Sequence, residues 1–239
     1  MKVEIWSDVV CPWCYIGKRR FEAALARFAH RDDVEITWRS FELDPTAPRR
    51  IPGSLNDMIA QKLGKTPDQA AALHAQLTTM AGREGLDYQL DKAQPGNTFD
   101  AHRLIHLAAT YGLQGTMKER LLKAYFSDGL SIGDPNTLVE IAAEVGLDAQ
   151  EARAMLDSND YADDVHADEQ RAAAFGIRGV PFVAIDEKYG ISGAQPSDLF
   201  LEALEQAWAE SHPLTMVSAA DGTNVCEGDA CDLPGQDTN

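Results

Sequence analysis

Four cysteines fall into two pairs. Cys11 and Cys14 have two residues between them in SDVVCPWCYIGKRR, Ser7 to Arg20, and Cys226 and Cys231 have four between them in VCEGDAC near the other end. Paired thiols exchange with disulfides, supply half of a tetrahedral zinc site, or lie buried and inert. The first pair has the setting of the first use. Cys11 follows a strand-like run and opens a helical one, with Pro12 at the first helical position, where a preset φ helps and no N–H is missed. The unpartnered amides and positive dipole end of that helix favour a thiolate at Cys11, with a pKa below the free value of about 8.5. Cys14 falls one turn on, beneath it. The expected division of labour is an exposed Cys11 that attacks and a less exposed Cys14 that resolves the mixed disulfide. Trp13, between them, is expected on the surface as an apolar contact for substrate, or packed as a lid against neighbouring helices.

Zinc would need a matching second ligand pair. The tail cysteines have a different spacing, and His102 and His106, at i and i+4, stand in His-Arg-Leu-Ile-His without the Glu of a metalloprotease helix. No metal is expected. A second stretch answers the first: GIRGVPFVAID places Pro181 directly before a strand, after Gly179 and Val180. That order suits a tight turn with a cis Val180–Pro181 bond against the CPWC helix, where it would shape the surface for an extended peptide or a second thiol. The alternative is an ordinary trans proline opening an edge strand. In the tail, Glu227, Asp229 and Asp232 are expected to raise the pKa of Cys226 and Cys231 and lower their thiolate fraction. The tail pair is then a redox relay that exchanges with Cys11, or an adventitious disulfide on a solvated segment.

These residues need elements to hold them. Lys2 to Ser7 reads as a strand, Pro12 to Ala29 as a helix with Cys14, Phe21, Leu25 and Phe28 on its apolar face, and Val34 to Phe41 as a second strand, a β-α-β order that implies a parallel pair. Helical periodicity then dominates: 55–63, 67–84, 98–111, 115–127, 135–145, 149–157 and 160–175, with Thr66-Pro67 and Asp134-Pro135 as start signals. Met80, Tyr111, Tyr125 and Phe126 are expected in the core of that block. Phe182 to Ile185 and Tyr189 to Ser192 read as a hairpin, followed by a helix from Asp198 to Trp208 with Ser197 as its N-cap. Lys18, Arg19 and Arg20 read as a solvated helix face, Asp8 as a turn or cap residue that could also tune Cys11, and His102, Arg103 and His106 as core or helix-face residues with a cleft between domains as the alternative.

The bulk numbers set the class. The 239 residues carry a formal net charge of −17, which argues against polyanionic partners such as nucleic acid or an anionic membrane. No Lys or Arg follows Lys188, so the acidity gathers towards the C-terminus. No apolar run approaches the ~20 residues of a membrane span, and no apolar leader with a cleavage site is visible. The expected compartment is the cytoplasm, where paired thiols are more often catalytic than structural.

Strand–CPWC–helix, a helical block, then Gly-Val-Pro-Phe and a hairpin resemble the DsbA family on the thioredoxin fold. SDVVCPWCYIGKRRFE, NTFDAHRLIHLA and AAAFGIRGVPFVAIDEKYGISGAQP resemble its FrnE-like branch in particular. The resemblance spans about residues 2–210. It implies an α/β, thioredoxin-like fold with an inserted all-helical domain: 1–44 with 176–212, the insertion 45–175, and a flexible acidic tail 213–239. It implies thiol–disulfide oxidoreductase activity with Cys11 as attacking thiol, Cys14 as resolving thiol, Pro181 as the cis proline, and Cys226 and Cys231 matching a second pair found in some members. Protein or small-molecule thiols are then the partners and the redox-active disulfide the only cofactor, with glutathione as a possible co-substrate. The same superfamily holds glutathione-dependent isomerases such as 2-hydroxychromene-2-carboxylate isomerase, which look to a Ser where Cys11 stands. A holdase-like binding module using an apolar cleft is the non-enzymatic alternative. Oligomeric state is left open.

Overall fold

The computed structural model describes residues 1–213. Cys226 and Cys231 lie outside the described residues. A mixed four-stranded sheet runs in the order β2-β1-β3-β4, with β1 Lys2–Ser7, β2 Glu35–Ser40, β3 Phe182–Ile185 and β4 Tyr189–Ser192. β1 pairs with β2 in parallel and with β3 in antiparallel, and β3 pairs with β4 in antiparallel. The parallel pair follows from the helix between its strands, α1 (Pro12–Arg27), since parallel neighbours need a crossover. β1 is the central strand next to the parallel crossover and is buried from Val3 to Ser7. Its last residues therefore deliver the CPWC turn from the best-supported part of the sheet. α9 (Ser197–Ser211) packs beside α1, with Phe200 edge-on to Phe21 at 5.8 Å between centroids.

Between β2 and β3 lie α2 Leu55–Leu63, α3 Pro67–Arg83, α4 Phe99–Thr110, α5 Gln114–Lys123, α6 Pro135–Val145, α7 Ala149–Asp157 and α8 Ala162–Ala174. Their starts carry the local chemistry their sequences announce. Ser54 with Asp57, and Thr66 with Gln69, form reciprocal capping boxes, and Asp134 caps α6 ahead of Pro135. The result is a thioredoxin-like sheet carrying a large helical insertion. Among the described residues no helix is long and apolar enough to cross a membrane.

Four expectations are corrected. The helix expected over 115–127 is regular only to Lys123 and then widens into a π turn, Ala124–Asp128, ended by Gly129 at φ +69. The wider turn lets consecutive aromatics, Tyr125 and Phe126, both be buried, and a Cβ at Gly129 would stand 2.6 Å from that of Lys92. Ser197 is the first helical residue of α9 rather than its cap. Pro196 takes that place, its carbonyl accepting from Leu199 and Phe200, and the helix continues to Ser211. Tyr111 is not core: it is 54% exposed and its hydroxyl donates to Glu151. Lys18, Arg19 and Arg20 are not a solvated face. Lys18 and Arg19 pair with Glu119 of α5, Arg20 pairs with Glu84 after α3, and these ion pairs tie α1 to the insertion.

Candidate redox site

Cys11 occupies the N-cap of α1 with extended backbone, φ −86 and ψ 115, and Pro12 follows as the first helical residue. Cys14 comes three residues later, its N–H donating to the Cys11 carbonyl at 3.0 Å. Both thiols are free and both are buried, Cys11 at 4% and Cys14 at 1% exposure. Cys11 is thus less open than expected, because the loop before β3 closes over it: its Sγ–H donates to the carbonyl of Val180 at 3.6 Å. The Val180–Pro181 bond is cis. Gly17, one turn beyond Cys14, makes room for that loop, since a Cβ there would stand 3.0 Å from Pro181 Cγ.

The two thiols are driven apart in acidity. The Cys14 thiol donates to the Cys11 sulfur and, with the first-turn amides, holds Cys11 below the usual thiol range despite its burial and the Asp8 charge. Burial pushes Cys14 well above that range, reinforced by the Cys11 charge and only partly relieved by Lys118. A low, nucleophilic thiol stacked on a high, protonated one is what sequential thiol–disulfide exchange uses.

Three buried polar residues stand behind the pair. Asp8, fully buried, accepts from His102 Nε2 at 3.3 Å and from the Leu43 N–H at 2.8 Å. Burial works against its ionisation, but these bonds more than offset it and hold the carboxyl below its ordinary value. Burial depresses His102, so the imidazole is neutral at neutral pH and donates as such. His102 is a satisfied core histidine. Arg103 is also buried, bonding the carbonyls of Met155, Ser158 and Asp160 at the end of α7, and His106 faces Ser40 and Asp168. His102, Arg103 and His106 do not line the groove described below, whereas Asp8 does. The third residue, Lys118, was not singled out from the sequence. Its Nζ, 1% exposed, donates to the Ser7 carbonyl at 3.1 Å, and burial takes its pKa down to about 8 against the raising charges of Cys14, Asp8 and Cys11. The available signal was its register on α5, in the same helical row as Leu121 and Leu122.

Two further features were also missed. Tyr88, in the segment between α3 and α4, is buried and its hydroxyl donates to the Pro12 carbonyl at 2.7 Å. An apolar groove of about 390 Å³ lies between the CPWC turn and α2 and α3, lined among others by Pro12, Trp13, Leu55, Met58, Leu77, Met80 and Phe126. Trp13 is 40% exposed at its edge and Met80 forms wall rather than core. Among the described residues no group of three His, Cys, Asp or Glu side chains is placed to hold a metal ion.

A thioredoxin-like sheet with a CxxC turn at the start of α1 and a cis proline beside it defines a DsbA-like oxidoreductase fold. The chain belongs to the DSBA-like thioredoxin domain family, whose family model matches residues 2–205. It is 46% identical to a probable DsbA oxidoreductase from Streptomyces coelicolor, whose crystal structure superposes with a TM-score of 0.86 over 98% of this chain and 100% of that one. An uncharacterized Bacillus subtilis protein, YwbO, is 31% identical over 209 residues, 84% of this chain and 94% of its own. A 2-hydroxychromene-2-carboxylate isomerase shares the fold at 15% identity, with a TM-score of 0.67 over 88% of this chain and 98% of that one.

Proposed function

We propose that this protein is a thiol–disulfide oxidoreductase in which Cys11 is the attacking thiol and Cys14 the resolving thiol. The observation that carries the reading is the opposed acidity of two free, adjacent thiols at the start of α1. In the reducing direction the Cys11 thiolate attacks one sulfur of a substrate disulfide, the S–S bond breaks, and the second substrate sulfur leaves as a thiolate that takes a proton. Cys14 then loses its proton and attacks Cys11 Sγ. The Cys11–Cys14 bond forms, the substrate departs as its second thiol, and two electrons have passed from the protein pair to the substrate. Oxidation of a dithiol is the same sequence reversed. Val180 and Pro181 shape the wall against which substrate lies, and Pro12 and Trp13 lead into the groove. No organic cofactor or metal enters the cycle. Protein and small-molecule disulfides are the partners, glutathione is a competent co-substrate, and the cytoplasm is the assigned compartment.

The test is equilibration with glutathione redox buffers followed by thiol trapping. Wild type should pass between dithiol and Cys11–Cys14 disulfide, Cys11→Ser should lose exchange, and Cys14→Ser should accumulate a Cys11 mixed disulfide. Glutathione-dependent turnover of a non-disulfide substrate that survives Cys14→Ala would overturn the reading in favour of an isomerase or transferase.

A further inference from the structure

The Cys11 thiolate is served by a peptide group that the insertion reaches from outside. Tyr88 is 3% exposed, stacked on Phe126 at 4.7 Å and 17° and lying 6.1 Å from Tyr15 at 26°, so its ring is held in a three-ring aromatic cluster. The neighbouring main chain is pinned as well, the Gln89 N–H donating to the Phe126 carbonyl at 2.7 Å. The held phenol donates to the Pro12 carbonyl at 2.7 Å. That carbonyl and the Trp13 N–H are opposite ends of one amide. A donor on the oxygen polarises the amide and makes its N–H a stronger donor, the cooperativity seen in hydrogen-bonded chains.

The Trp13 N–H belongs to the first turn of α1, where amides have no helical partner. With Cys11 in its thiol form, the sulfur takes no capping bond from the helix and its proton points to Val180. When that proton leaves, the sulfur becomes the acceptor the first turn lacks. The amide of Trp13 then favours the thiolate, after the larger effects of the Cys14 thiol and amide.

We propose that Tyr88 is a positioning residue for Cys11: its phenol holds the Pro12 carbonyl and, through the Pro12–Trp13 peptide, strengthens the amide that stabilises the Cys11 thiolate. The insertion thereby sets the reactivity of a cysteine carried by the thioredoxin-like sheet. The proposal rests on the exchange reading for its consequence, but the thiolate itself can be titrated without any substrate.

Tyr88→Phe keeps the ring and removes the donor. If the loss is the cooperative share of one charge-assisted bond, the Cys11 thiolate fraction at fixed pH, below its midpoint, falls about 1.5- to 5-fold. Ultraviolet thiolate absorbance against pH, in a Cys14→Ala background, reads this. Because the reduced form loses stabilisation, the variant pair is also the weaker oxidant against glutathione, by up to the same factor. Phe126→Leu removes a stacking face and leaves the hydroxyl, and should leave the Cys11 titration where it is. 3-Fluorotyrosine at position 88 keeps the shape and donates more strongly, so it should move the titration in the opposite direction to Tyr88→Phe, and it serves if Tyr88→Phe fails to fold. An unmoved titration in folded Tyr88→Phe, an equal shift in Phe126→Leu, or a fluorotyrosine shift in the same direction as Phe each overturns the proposal. Failure of wild type to equilibrate with glutathione sinks the exchange reading instead.

Discussion

At the scale of single residues, one thiol sits where the helix start favours its anion and the other where burial disfavours it. In the proposed cycle Cys14 must nevertheless ionise, and Lys118 is the cation placed to help. With a pKa of about 8 it keeps most of its charge at neutral pH, and that charge lowers the Cys14 pKa and favours the Asp8 carboxylate. Lys118→Met retains the aliphatic stem and removes the charge. The resulting rise in the Cys14 pKa should lengthen the life of the Cys11 mixed disulfide roughly 3- to 10-fold at pH 7. Acid-quenched mass spectrometry of the adduct measures it directly. Lys118 is charged below its depressed pKa and neutral above it, so the ratio of wild-type to variant resolution rates should narrow as pH rises through about 8. A ratio that stays flat across that window would show that Lys118 acts on packing alone. Cys11, Cys14 and Pro181 were legible from the sequence because the CPWC turn and the Gly-Val-Pro turn are local signals. Tyr88 and Lys118 were not, because they reach the site from elements 74 and 104 positions beyond Cys14 by contacts no local pattern encodes.

At the scale of elements, the sheet and α1 were readable because each boundary has its own residue-level cause: Pro12 at a helix start, alternation in the strands, Pro135 after Asp134. What escaped was how the insertion grips α1. Three consecutive cations look solvated in sequence, yet Lys18 is 6% exposed and shares Glu119 with Arg19, while the Tyr15 hydroxyl donates to the same carboxylate at 2.6 Å. Burial works against ionisation of Glu119, but the bonds from Arg19, Lys18 and Tyr15 outweigh it and take its pKa down to about 2. The sign follows from a native pKa below the unfolded value of about 4.3. This stabilisation is full above the unfolded pKa and is lost as pH falls through the native one. Because the carboxyl is partly exposed, solvent screening reduces the effect, and Glu119→Gln should lower stability at pH 7 by about 1–2 kcal/mol. Urea unfolding at pH 7 and at pH 3 checks it: the gap between wild type and variant should shrink at the lower pH, and a constant gap would mean that the carboxylate charge is irrelevant.

At the scale of the whole molecule, two features stand against each other: an apolar groove at the redox turn and a formal net charge of −17. The groove was illegible for a physical reason. Leu55, Met58 and Ile59 on α2, and Leu73, Leu77 and Met80 on α3, follow helical spacing and look like ordinary core stripes. Periodicity says which face is apolar, not whether another element covers it, and here most of these side chains remain only half-buried around a space of about 390 Å³. Charge and groove should sort disulfides by different routes. An anionic disulfide meets a repulsive field during approach, whereas a neutral apolar one does not and gains by covering the groove wall. Oxidised glutathione should therefore react faster as ionic strength rises from about 0.01 M to about 0.3 M, as screening shortens the reach of the field from ~30 Å to less than 10 Å. A neutral alkyl or aryl disulfide should show little change over the same range. Met58→Lys, which sets a charge in the groove, should slow the neutral substrate while leaving the salt response of oxidised glutathione largely in place. Stopped-flow Trp fluorescence, with Trp13 at the groove edge as reporter, follows both reactions in one buffer series. If salt accelerates both disulfides equally, the acidic field does not select among them; if Met58→Lys leaves the neutral substrate untouched, the groove is not where it binds.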